Sequence, residues 1–253
     1  MSQSESARGY RARAQEWLEA VRALPTPEPA KLDATQLAGM IDHTLLKADA
    51  MPEAVDTLCG EAQEYGFASV CVNSRYVPRC AAALARTPVK VCAVVGFPLG
   101  ANLAEVKAWE AERSLALGAR EIDMVIPVGL LRAGDYALVR HDIDEVVKRC
   151  RRAGGLCKVI LETALLSDEE KVIACLLSVE AGAEFVKTST GFASAGATLA
   201  DVQLMRAVVG PEVGVKAAGG IRTLGEALAM VGAGASRIGA SAGVKIIQEA
   251  RGG

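Results

Sequence analysis

Apolar and polar positions along the chain follow two rhythms. Short apolar runs begin near Met40, Ala68, Lys90, Glu121, Cys157, Glu184, Val213 and Ser236. Between them lie stretches of helical period: Pro52–Tyr65, Leu103–Leu117, Asp142–Ala153, Ser167–Ala181, Leu199–Val209, Leu224–Val231 and Ser241–Glu249. Several carry start signals, such as Pro52 at a first helical position or Ser167 followed by Glu169 and Glu170. The runs recur every 20 to 40 residues or so, roughly the length of a strand plus a return helix. Eight such repeats predict an α/β protein, a TIM or (β/α)8 barrel, rather than an open doubly wound sheet. No Gly-x-Gly-x-x-Gly follows the first strand, which removes the main argument for a dinucleotide fold.

The beginning of the chain behaves differently. Tyr10, Ala14, Trp17, Val21 and Leu24 recur at three- or four-residue steps, so residues 1–24 read as a disordered start and then an amphipathic helix. Pro25, Pro27 and Pro29 end that pattern. The expected division is an N-terminal extension over residues 1–34 and a barrel domain over 35–253. The extra helix should pack on the body of the protein or on a partner subunit.

Composition narrows the class. The chain is 51% apolar but only 4% aromatic, which suits a core of small branched side chains on parallel strands. A net charge of −2 supplies no basic field for nucleic acid or an anionic membrane. No apolar run approaches the roughly 18 residues of a membrane span. No apolar stretch follows Arg8, Arg11 and Arg13, so a secretory signal is not expected. Seven cysteines without a Cys-x-x-Cys pair, beside two histidines, argue against a disulfide framework or structural zinc. Reduced thiols in a cytoplasmic protein are the simpler expectation.

A barrel carries its chemistry at the C-terminal ends of its strands and in the loops after them. The sixth strand runs into Val186-Lys187-Thr188-Ser189-Thr190-Gly191, and the seventh into Val215-Lys216-Ala217-Ala218-Gly219-Gly220. Either lysine alone could be ion-paired or snorkel to the barrel mouth. Two on adjacent strands repel, so one should be neutral near physiological pH, and a neutral amine attacks carbonyls. Asp123, between Ile122 and Met124, should point inward if those two point out. It could pair with the lysines, move protons between them, or do both. Lys158 belongs to the same cluster or pairs with Glu162 or Asp123.

An anion site can be argued from the glycines. Gly219-Gly220 precedes a helix near Thr223, and Gly239-Ala240-Ser241 runs into the last helix. Bare amides at helix N-termini suit phosphate, which barrels often hold after strands seven and eight, and Gly191 could add a third amide. Each loop alone could equally be turn chemistry. Asp42 and Thr44 sit on alternate positions of the first strand and could touch substrate hydroxyls. His43 between them reads as a hydrogen-bonded structural group. Cys71, Asn73 and Asn102 are weaker polar candidates at strand ends.

The strings Ile41-Asp42-His43-Thr44-Leu45-Leu46, Val95-Gly96-Phe97-Pro98-Leu99-Gly100, Glu121–Val125 and Lys158–Thr163 resemble those of deoxyribose-phosphate aldolases. So do Val186–Phe192 and Lys216–Arg222, and the resemblance runs from about residue 38 to 247. It implies reversible joining of acetaldehyde to glyceraldehyde 3-phosphate, giving 2-deoxyribose 5-phosphate, with no cofactor and no metal. By resemblance Lys187 is the Schiff-base lysine, Lys216 the lysine that perturbs it, and Asp123 the aspartate of proton transfer. Gly191, Gly219, Gly220, Gly239 and Ser241 fall where the family holds phosphate, and Asp42 and Thr44 near its sugar contacts. Cys71, Lys158 and Thr190 complete the expected substrate set, and a homodimer is expected. Two departures stand out: Ala242 follows Ser241 where some members have a second serine, and Ala250–Gly253 contains no tyrosine where some members end in one. The rivals are a sugar-phosphate isomerase using a carboxylate base, a different Schiff-base aldolase, and a barrel that binds a phosphorylated metabolite without turnover.

Overall fold

Each strand divides its side chains between two environments. In the computed structural model, which describes residues 3–252, α1 (Gln3–Arg22) and α2 (Ala34–Ala38) precede β1 (Ile41–Leu45). Then come α3 (Pro52–Tyr65), β2 (Ser69–Val72), α4 (Val77–Leu84), β3 (Lys90–Val95), α5 (Ala104–Ala116) and β4 (Glu121–Val125). A short α6 (Val128–Ala133) and a long α7 (Tyr136–Arg152) lead to β5 (Leu156–Ile160), α8 (Asp168–Glu180) and β6 (Phe185–Lys187). The chain ends with α9 (Leu199–Val209), β7 (Gly214–Ala218), α10 (Leu224–Gly232), β8 (Arg237–Ala240) and α11 (Gly243–Gly252). All eight strands pair in parallel and β8 closes onto β1, so the predicted TIM barrel is the fold.

The hydrophobic core is the layer between strands and helices. Ile41, Val70, Ala93, Ile122, Met124, Val159, Val186, Val215 and Ile238 all belong to one buried cluster with the inner faces of the helices. Their neighbours at every second position point the other way, into a barrel interior holding Asp42, Asp123, Lys158, Lys187 and Lys216. Ile122 and Met124 thus point out and Asp123 in. His43 also faces outward, bonded through Nε2 to Glu61 at 2.6 Å and tilted against Phe67, which is a structural role.

Three local expectations change. The helix α4 had no counterpart in the pattern, because its apolar face spans only two turns and opens on Val77-Pro78. The helix expected from Asp142 begins at Tyr136, released by Gly134, whose φ of 83° ends α6. The first helix begins at Gln3 rather than after a disordered start, Met1 and Ser2 lying outside the described residues. It packs on the barrel through Ala14, which is buried, and through Tyr10, Trp17 and Val21, whereas Leu24 is exposed. Tyr10 meets Tyr136 edge-on at 5.5 Å, and Arg13 pairs with Glu180 at 2.8 Å.

The start of α8 is a complete capping box. Ser167 Oγ accepts from Glu170 N, and Glu170 Oε2 accepts from Ser167 N at 2.7 Å. Removing the hydroxyl leaves an amide of the first turn unsatisfied, which costs about 1 kcal/mol. Ser167→Ala should lower the midpoint of thermal unfolding by roughly 2–4 °C. An unchanged midpoint would mean that packing alone holds this helix end.

Candidate active site

Four cations and three carboxylates meet inside the barrel. Register places Lys187 opposite Lys216 and Asp123 opposite Lys158 on neighbouring strands. Asp123 Oδ2 lies 2.8 Å from both Lys187 Nζ and Lys216 Nζ, while Oδ1 takes Lys158 Nζ at 2.9 Å. Lys216 also contacts Asp42 at 2.5 Å, and Lys158 contacts Glu121 at 2.5 Å. Arg237 closes the lower side against Asp42 at 2.6 Å and Glu121 at 3.5 Å. Gly239 leaves the room that this needs: a Cβ there would sit 3.0 Å from Lys216 Cε and 2.9 Å from Ala218 Cβ.

The electrostatics are one-sided. Burial opposes ionisation of Asp123, but Lys158, Lys187 and Lys216 outweigh it and hold the carboxyl well below its usual 3.8. Asp42 is likewise lowered against burial, by Lys216, Lys158 and Arg237. Burial would lower Lys158 and Lys216, yet Asp123 and Asp42 raise both above their usual 10.5. Lys187 is the cluster lysine with a single carboxylate partner. Fully ionised, the group carries one net positive charge, so one proton is in excess. Cys71, Cys92 and Asp123 bring possible metal ligands within 4.8 Å of one another. Three ammonium groups already occupy that carboxylate, and burial keeps the Cys92 thiol protonated, so the place does not suit a cation.

Above the cluster opens a cavity of about 300 Å³. Lys187 and Thr44 reach it from within the barrel, and Thr190 and Gly191 from the loop after β6. Gly219, Gly220, Gly239 and Ser241 form the side after β7 and β8. Gly191, Gly219 and Gly220 have φ of 87°, 90° and 85°, values that turn the chain where a side chain would be strained. The loop after β6 is clamped onto the end of β7: Ala197 N donates to Ala218 O at 3.1 Å, and a Cβ on Gly196 would lie 2.1 Å from Gly219 O. Helix α10 starts with a capping box between Thr223 and Glu226, and its Leu224 amide donates to Glu249 at 2.7 Å.

Not every expected residue reaches the cavity. Asp42, Cys71 and Lys158 are fully buried and lie beneath it. Asp42 shares the inward face with Thr44, as expected, but two residues lower, where Lys216, Arg237 and Ser69 consume its oxygens. Cys71 lies under Asp123 at 3.9 Å. Lys158 pairs with Asp123 and Glu121, not with Glu162. Glu162 instead accepts from Thr190 Oγ1 and from Thr190 N at 3.2 Å, and does so from a left-handed backbone with φ of 59°. Such a φ on a side-chain-bearing residue stores strain and is retained where it positions something.

Glu121 and Arg237 were missed. Both sit at the entry ends of β4 and β8, where an alternating pattern reads a charged residue as a strand cap facing water. Their inward parity was the available signal. Lys47, Arg222 and Phe192 also line the cavity and had been given no part in it.

A closed (β/α)8 barrel with a buried lysine–aspartate cluster beneath a glycine-walled mouth defines an enzyme of carbonyl chemistry. The chain belongs to the DeoC/LacD family of aldolases, whose model matches residues 37–249, and it is accordingly a lyase. A deoxyribose-phosphate aldolase from Thermoanaerobacter sp. is 56% identical over 214 residues, covering 84% of this chain and 96% of the relative. One from Streptococcus pneumoniae is 59% identical over 210 residues, covering 82% and 94%. The solved tetrameric deoxyribose phosphate aldolase from Aeropyrum pernix is 37% identical, with a TM-score of 0.82 over 86% of this chain and 92% of that one.

The cluster should leave its mark on stability against pH. Lowered carboxyls stabilise the fold above pH 3.8, and that share is lost as pH falls from there through the folded values. Raised lysines stabilise it below pH 10.5, and their share fades as pH rises beyond that. Asp123→Asn leaves three ammonium groups around a neutral amide and should cost about 3–5 kcal/mol at neutral pH. Urea unfolding across pH should show the variant losing less stability in acid than the parent. An equal acid slope would mean that Asp123 does not carry this charge network.

Proposed function

We propose that the chain catalyses reversible aldol cleavage of 2-deoxy-D-ribose 5-phosphate to D-glyceraldehyde 3-phosphate and acetaldehyde, through an imine on Lys187. One observation carries the assignment of the nucleophile. Lys187 is the amine of the buried cluster that also lines the cavity, while Lys158 and Lys216 lie below it among two or more carboxylates. Of the three amines, Lys187 also has the fewest ion pairs to give up when it bonds to carbon.

In the cleavage direction, neutral Lys187 Nζ adds to the substrate's aldehyde carbon and the carbinolamine loses water. The resulting iminium at C1 accepts, through C2, the electrons of the C2–C3 bond. A base takes the proton of the C3 hydroxyl, the bond breaks, and glyceraldehyde 3-phosphate leaves an enamine on Lys187. Protonation of the enamine and hydrolysis release acetaldehyde. Asp123 Oδ2 touches both lysine nitrogens, so protons can move between Lys187 and Lys216 across one carboxylate oxygen, with water completing the path to substrate carbon.

The amides of Gly191, Gly219, Gly220 and Gly239 and the Ser241 hydroxyl would hold the phosphate, with Arg222 and Lys47 adding charge at the mouth. With Ala242 after Ser241, more of that work falls to backbone. Held there, the phosphate orients the reacting carbons and contributes binding energy remote from them. Thr44 and Thr190 then flank the sugar hydroxyls, Thr190 being fixed by Glu162. A cytoplasmic location accords with seven free, buried cysteines and, among the described residues, with no helix long and apolar enough to cross a membrane.

Lys187→Leu should abolish turnover of deoxyribose 5-phosphate, and retained cleavage would reject the imine. Lys216→Leu balances the cluster at three cations against three carboxylates and removes the excess proton. Residual activity should therefore move to higher pH, as read from kcat/KM against pH. An unshifted profile would count against electrostatic activation of Lys187.

A further inference from the structure

Among the described residues six carboxylates are buried: Asp42, Glu121, Asp123, Asp142, Glu162 and Asp201. Five of them touch a lysine or arginine within the chain, Asp142 through Lys107 at 2.7 Å and Asp201 through Lys171 at 2.6 Å. Glu162 is the exception. Its oxygens accept from Thr190, through Oγ1 and through the amide at 3.2 Å. A buried carboxylate without a cation is costly, and this one adjoins the cavity through a residue that lines it.

Hydrogen bonds decide what the two threonines of the cavity can offer a ligand. A hydroxyl has one proton and two lone pairs. Thr44 gives its proton to Asp42 O at 2.8 Å, and Thr190 gives its own to Glu162. Thr190 Oγ1 also accepts from Phe192 N at 3.0 Å, which leaves it one lone pair. Both side chains therefore present lone pairs, and the ligand must supply the donors, as sugar hydroxyls do. The two differ in what stands behind them. A backbone carbonyl does not keep a proton, so Thr44 can only hold a hydroxyl in place. A carboxylate does, so Thr190 can pass a proton through. Thr190 also follows Lys187 by three residues and lines the same cavity. Asp123 would have to take a proton against its contacts with three lysines, whereas Glu162 breaks no ion pair by taking one.

We propose that Thr190 and Glu162 form the relay that takes up the C3 hydroxyl proton during cleavage, an inference that rests on the aldol reaction proposed above. As the C2–C3 bond breaks, its electron pair moves through C2 to the iminium, and C3 keeps its oxygen as a carbonyl. The hydroxyl proton passes to Thr190 Oγ1, and the threonine's own proton passes to Glu162 Oε2. Glu162 returns that proton to water at the mouth once glyceraldehyde 3-phosphate has left. In the joining direction the Glu162 acid protonates the new C3 alkoxide along the same path. Asp123 and Lys216 keep the other transfers, those of the imine nitrogen and the enamine carbon. Thr190 touches the substrate, and Glu162 acts through it.

Two reactions of the full chain separate this relay from the rest of the site. Cleavage of deoxyribose 5-phosphate uses the C3 hydroxyl. Exchange of the methyl protons of acetaldehyde in deuterium oxide, followed by proton NMR, uses only the imine and enamine on Lys187. Glu162→Gln keeps the shape but removes the base: Thr190 N holds the new amide oxygen, so the amide nitrogen faces Thr190 Oγ1. Thr190→Val removes the hydroxyl at similar volume. Each should lower kcat for cleavage by roughly 100-fold or more, the span of general base catalysis, and lower the ratio of cleavage to exchange nearly as much. Thr190→Ser, which keeps the hydroxyl, should retain most of the cleavage. Equal loss of both reactions would reduce the pair to a structural clamp and overturn the relay, as would unimpaired cleavage in Glu162→Gln. A parent that exchanges no deuterium would reject the imine on which the relay rests. Should Thr190→Val fail to fold, Glu162→Gln and Thr190→Ser decide between them.

Discussion

The interior of this barrel is organised around one carboxylate. Asp123 is fully buried and contacts three ammonium groups within 3 Å or so, an arrangement that would be prohibitively costly for any member left alone. The lysines keep the aspartate ionised and the aspartate keeps them in place. Glu121, Asp42 and Arg237 form the base that makes the set nearly neutral. Nearly is the point: fully ionised, the set carries one positive charge too many, and Lys187 is its member that meets the cavity.

Such an interior contributes little to stability by itself, so stability comes from elsewhere. The layer between strands and helices supplies it, with valine, isoleucine and alanine at most outward positions of the strands. This division lets the barrel commit its inner face to charge. It also explains the small side chains inside: Gly239 admits the stem of Lys216, and Ser69 and Cys71 leave space around Asp42 and Asp123. Above the cluster, precision comes from backbone approach, as where Gly196 lies against Gly219 and Glu162 holds Thr190 from a strained turn.

Much of this was readable from the residues in order. Eight apolar runs and their return helices gave the barrel because strand and helix periods differ and barrels repeat them. Lys187, Lys216 and Asp123 were visible because a charge in an apolar strand needs a reason to be there. What stayed hidden depends on depth along the barrel axis, which alternation does not report. Asp42 and Lys158 have the inward parity of substrate contacts, yet they sit below the cavity. Glu121 and Arg237 look like strand ends in water until the closed barrel brings β4 and β8 onto one layer. Glu162 was one of two partners open to Lys158, and its left-handed backbone instead turns it toward Thr190.

The central claim is that Lys187 is the amine that bonds covalently to substrate carbon. It is tested most directly by reducing the protein with borohydride in the presence of acetaldehyde and mapping the peptides by mass. A two-carbon adduct on Lys187, with Lys158 and Lys216 unmodified, is the predicted result. An adduct on Lys216, a scatter over exposed lysines, or no adduct while the enzyme still turns over would contradict it.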